Sequence, residues 1–108
     1  MFILTPTETF KATVKVNVAT PSGGWREESF VGIFKRTPES EREDLLALKN
    51  TDLLRRVLTG WEMVDEQRAP VEFNEQNFEA FLSLTGAVRE AMVTYWKHNV
   101  GAKETNSS

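Results

Sequence analysis

From Phe10 to Val18 the chain alternates apolar and polar residues without a break, with Phe10, Ala12, Val14, Val16 and Val18 on one side and Lys11, Thr13, Lys15 and Asn17 on the other. A period of two is the signature of a strand with one buried face. Pro21-Ser22-Gly23-Gly24 follows as a turn signal. Trp25 to Arg36 then reads as a second strand, with Val31 and Ile33 on one side and Phe30 and Phe34 on the other. A strand that is apolar on both faces is either covered on both or offers one to a partner.

At Thr37-Pro38 the hydrophobic period changes from two to 3.6. Thr37-Pro38-Glu39 has the order of a helix start: a threonine N-cap, a proline at the first helical position and an acid in the first turn. Leu45, Leu46 and Leu48 follow. Asn50-Thr51-Asp52 interrupts the pattern and can cap a second short helix carrying Leu53, Leu54, Val57 and Leu58, with Gly60 placed as its C-terminal glycine. Trp61 to Val71 is a connector with room for one short extended piece. Asn74 then stands as an N-cap, and Phe73 and Phe78 take the positions of a hydrophobic staple around it. That helix carries Phe78, Phe81 and Leu82. After the break at Thr85-Gly86, a last helix presents Val88, Ala91, Met92, Tyr95 and Trp96 as one stripe. Gly101 ends it, and the segment from position 104 to 108 reads as a polar flexible tail. A run of strands followed by a run of helices predicts an α+β fold: an N-terminal antiparallel β-hairpin or small sheet, then about four short helices, in a single domain over residues 1–103.

Composition narrows the function. A chain of 108 residues that is 40% hydrophobic and 27% charged is an ordinary globular chain with a core of its own. It contains no cysteine, which excludes a disulfide framework, a thiolate zinc site and a cysteine nucleophile. The formal net charge is -3, and the basic pairs Lys35-Arg36 and Arg55-Arg56 are too short to track a phosphate backbone, so nucleic acid is not an expected partner. Met1-Phe2-Ile3-Leu4 lacks the basic flank and the length of a signal peptide. No stretch approaches the ~20 apolar residues that span a bilayer. A cytoplasmic location without membrane contact is the expectation.

Catalytic chemistry finds little to build on. His98 is the single histidine and sits near the end of the last helix, where it favours the C-terminal dipole when protonated. The chain has no nucleophile elbow and no phosphate-cradling glycine loop. Glu39, Glu41, Glu43 and Asp44 cluster at a helix start, where the dipole favours them, and they lack the spacing of a calcium loop. The expectation is a non-enzyme with no cofactor and no metal. The aromatics are the candidates for recognition: Trp25 beside the glycine turn, Phe30 and Phe34 on the doubly apolar strand, Trp61, and Trp96 on the last helix. Each has a plain alternative as a core residue, because large rings fill cores as well as anchor interfaces.

The order of these pieces resembles a known family. An alternating strand leads through a turn into Gly32-Ile33-Phe34-Lys35-Arg36. The Pro38-Glu39-Ser40-Glu41 helix start follows, and then Val57-Leu58-Thr59-Gly60-Trp61. About ten residues later comes Pro70-Val71-Glu72-Phe73, running to Asn77-Phe78, and then the last helix from Val88 to Trp96. Over roughly residues 8 to 103 this is similar to the tail assembly chaperones of long-tailed bacteriophages and prophages. Members of that family often carry proline near the start of the last helix, where Gly86-Ala87 stands here. The resemblance implies a protein without catalysis that coats the tape measure protein, helps the tail tube protein polymerise around it, and is absent from the finished virion. It also implies assemblies of copies, and in many members a longer form made by ribosomal frameshifting.

The runner-up is a small virion protein, of the head–tail joining or tail-completion kind, which stays in the particle. A nucleic-acid-binding regulator is the third reading, disfavoured by the net charge of -3.

Overall fold

A computed structural model describes residues 4–5 and 7–99. The alternating segment forms strand β1 (Thr9–Ala19), which pairs antiparallel with β2 (Trp25–Lys35) in continuous register from Thr9↔Lys35 to Ala19↔Trp25. The turn between them holds Gly23 at φ 93, the left-handed region that glycine enters without cost. A short 3-10 turn (Glu39–Glu41) leads into α1 (Arg42–Leu46) and α2 (Asn50–Val57). Strand β3 (Leu58–Glu62) comes next, then α3 (Glu75–Leu82) and α4 (Thr85–Asn99). The sheet has three strands in the order β1-β2-β3. The α+β fold expected from the sequence is the fold observed, and the hairpin between positions 8 and 36 is present.

Three local readings are corrected. Gly60 does not end a helix. It lies inside β3, opposite Ile33, and the chain passes from α2 into the strand at Leu58 with no glycine cap. The strands therefore do not all precede the helices: β3 follows α2 and adds to the far side of β2. Thr37 is not an N-cap, because the 3-10 turn starts after Pro38 with no side-chain cap. The Thr37 hydroxyl instead bonds the Tyr95 hydroxyl, while Asn99 accepts from the Thr37 backbone N–H at 3.1 Å and donates to the Thr37 hydroxyl at 3.1 Å. These bonds fasten the end of α4 to the link between sheet and helices. Asn50 lies within α2, whose cap position is Lys49 with no side-chain cap bond. The expected polar tail and the helix end at Gly101 lie outside the described residues.

The staple around α3 is present as expected. The Asn74 side chain accepts from the Asn77 backbone N–H at 2.8 Å, and the Phe73 and Phe78 rings meet with centroids 5.1 Å apart.

The core lies between one face of the sheet and the helices. Ala12, Val14, Phe30 and Phe34 come from the hairpin and Leu58 and Trp61 from β3. They meet Leu45, Leu53, Leu54, Val57, Phe78, Phe81, Leu82, Val88, Ala91 and Tyr95 from the helical layer. The buried triplet Phe30, Gly32, Phe34 shows which face of β2 points inward, and Val31 and Ile33 lie half-buried on the outer face. There Lys11 reaches across β2 to Glu62 at 2.6 Å. Tyr95 is fully buried, and that burial is the main cause that raises its phenol above the ordinary value of 10.0. The bond from Thr37 lowers it in part, and the charge of Glu41 raises it further. Within the described residues no helix is long and apolar enough to cross a membrane.

A candidate binding groove

Inner-face side chains pair across the hairpin in rows: Phe10 with Phe34, Ala12 with Gly32, Val14 with Phe30, Val16 with Glu28, Val18 with Arg26. The row at Val14 and Phe30 is buried, whereas the next two lose their cover step by step. Val14 is fully buried, Val16 is half-buried and Val18 is 38% exposed. β3 stops pairing at the level of Val31, so the sheet beyond it is a two-stranded ribbon. Beneath this overhang, between the ribbon and the corner joining α3 to α4, lies an open groove of about 770 Å³.

Its floor is aromatic. Phe30, Trp61 and Phe81 pack edge-on or tilted, with centroids 5.4 to 6.2 Å apart, an arrangement in which ring edges meet ring faces. Trp61 is held by its indole N–H, which donates to the Val71 carbonyl at 2.8 Å. That bond also draws the Val71 segment against the end of β3, where the Val71 N–H bonds the Met63 carbonyl and Val64 bridges Pro70. The loop between is closed by Asp65, whose carboxylate accepts from the Gln67 and Ala69 backbone N–H groups at 2.9 and 3.0 Å. Met63, Val64 and Val71 so become one wall, Val16 and Val18 another, and Leu84 and Ala87 close the α3–α4 end.

Three exposed apolar side chains meet here, while Leu4, Trp25, Leu46 and Val93 are exposed elsewhere. Val18, Val64 and Leu84 line the groove and are among the large hydrophobic residues left in solvent, Val64 at 60% and Leu84 at 57% exposure. Single exposed apolar residues are ordinary, and these three stand around one concave surface. Glu28 is the charged residue in the lining, and it is already paired with Arg26. The groove therefore suits aliphatic or aromatic side chains, with the paired Glu28 carboxylate as the charged group of its lining. Seating one Val, Leu or Phe side chain there is worth about 1.5–3 kcal/mol before ordering costs are subtracted.

The five aromatics singled out from sequence separate into distinct environments. Phe30 and Trp61 are core residues at 8% and 7% exposure whose accessible edges form the groove floor. Phe34 is fully buried beneath Phe10 and Tyr95, so it does not reach the surface and is not a docking anchor; its face of β2 is the core face. Trp96 is half-buried at the other end of α4, packed edge-on to Tyr95 at 5.0 Å and not among the groove residues. Trp25 is 73% exposed at the hairpin end and borders a smaller neighbouring cleft with Lys15, Glu27, Arg89 and Glu90. The residues that sequence reasoning missed are Val18, Met63, Val64 and Leu84. Their signal was weak: Val18 continues the alternation, Met63 and Val64 are a lone apolar pair before a polar connector, and Leu84 stands singly between Ser83 and Thr85.

His98 is exposed, donates from Nδ1 to the Thr94 carbonyl at 2.9 Å and stacks on Phe10. Among the described residues no three His, Cys, Asp or Glu side chains gather into a candidate metal site. Comparison with protein-family models, with curated proteins and with solved structures finds no match to the chain.

Proposed function

We propose that the chain is a non-catalytic tail assembly chaperone of a long-tailed bacteriophage, acting in the host cytoplasm, and that its groove receives an amphipathic helical segment of the tape measure protein. The observation that carries the reading is the groove itself, concave, aromatic-floored and lined by apolar residues left in solvent. An amphipathic helix docks in such a groove by aliphatic anchors at i, i+3, i+4 and i+7. The order of motifs along the chain, similar to that of the chaperone family, names the client and adds the tail tube protein as the second partner. A chaperone of an apolar helix needs surface that is apolar without being sticky everywhere. Here Val18, Val64 and Leu84 supply it around one concavity, in a chain whose net charge is -3.

Co-expression with the cognate tape measure protein tests this. The client is expected to become soluble and to co-elute with the chain on gel filtration. Binding is expected to show a negative heat-capacity change and little dependence on salt. Leu84→Asp places a charge at the exposed rim. It is expected to weaken binding by about 1–4 kcal/mol, the range of an interface anchor, without lowering the unfolding midpoint, because Leu84 holds the N-cap position of α4, where aspartate is favoured. A client equally soluble with and without the chain, and no complex on the column, would overturn the proposal. Recovery of the chain from purified virions would then favour the structural-component reading.

A further inference from the structure

We draw no further inference here: the strongest candidate, the exposed Trp25 indole beside the small cleft between the hairpin end of β1 and the first turns of α4, is an unpartnered apolar patch, and nothing in the structure shows what covers it.

Discussion

Replacing Trp61 with alanine removes a ring that is 7% exposed and that meets Phe73, Phe81, Phe30 and Phe78 at centroid distances of 4.8, 5.6, 6.2 and 6.3 Å. Truncating a buried tryptophan costs about 3–5 kcal/mol through lost transfer energy and the cavity left behind. The substitution also strips the N–H from the Val71 carbonyl. Val71 is half-buried, so water can reach that carbonyl, and the loss falls near the low end of the about 1–3 kcal/mol for an orphaned polar group. The expected total is about 4–6 kcal/mol, against a stability of about 5–15 kcal/mol for a domain of this size. Trp61→Phe keeps one ring in place and loses the donor, and is expected to cost about 1–2 kcal/mol. Urea unfolding followed by far-UV circular dichroism measures both, with the midpoint falling from wild type to Trp61→Phe to Trp61→Ala at constant slope. Trp25→Ala is the internal control, since a residue 73% exposed is expected to change stability by no more than about 0.5 kcal/mol. A Trp61→Ala loss below about 1 kcal/mol would refute the placement of Trp61 in the core and make it a surface residue.

Asn74→Ala removes the side chain that accepts from Asn77, and is expected to cost about 1 kcal/mol, read as a fall of roughly 4–8 °C in Tm. Gly32→Ala would place a Cβ 2.7 Å from Cε2 of Phe34, a ring with no room to move because it is fully buried. The expected loss is about 1–3 kcal/mol in chemical denaturation, and a neutral result would show that the ring relaxes freely. Tyr95 predicts a pH dependence: its phenol is raised in the fold, so the native state holds the proton more tightly than the unfolded chain does. Stability from this group is fully present below the ordinary value of 10.0 and falls as pH rises from there toward the native value; the decline should be absent in Tyr95→Phe measured by unfolding across that range.

The elements with strong periods were legible in the sequence, and those decided by distant pairing were not. Alternation at Phe10 to Val18 and the staple around Asn74 are local signals, and both elements stand where they were expected. β3 was not recognised because Leu58-Thr59-Gly60-Trp61-Glu62 is short and follows a helical stripe, and nothing local distinguishes a helix end with a glycine from a strand entry. What makes it a strand is β2, which supplies the pairing from Val31 to Phe34. The shift in register between Ile33 and Phe34 leaves Thr59 as an extra residue, whose hydroxyl donates to the Ile33 carbonyl at 3.1 Å. Thr37 carried a cap signal that tertiary contact overrode, since Tyr95 and Asn99 claim its polar groups. The groove was illegible for the same reason: its walls come from three separate stretches of chain whose apolar residues look unremarkable one by one.

The groove follows from a mismatch in length. β1 and β2 have 11 residues each and so run about 36 Å at ~3.3 Å per residue, while β3 has 5 and pairs with only one half of β2. α4 has 15 residues, about 22 Å at ~1.5 Å per residue, and its buried stripe from Ala87 to Tyr95 belongs to the core that also holds Val14 and Phe34. The far half of the hairpin is thus a two-stranded ribbon, an element that is only marginally stable in water on its own. On β2 its inner face turns polar at Glu28 and Arg26, as an uncovered strand should. On β1 it does not, and Val16 and Val18 keep the apolar phase past the last covered row. A ribbon shaped only for solvent would carry polar residues at both places. Cover over Val16 and Val18 would remove from water the apolar surface that the helices leave open and would steady the ribbon. Client binding and ordering of the hairpin end are therefore expected to be coupled, and hydrogen exchange offers the readout. In the complex, amides from Val16 to Glu28 should gain protection while those of α2, already in the core, should not. No gain in protection from Val16 to Glu28 in the complex would place the client elsewhere on the molecule.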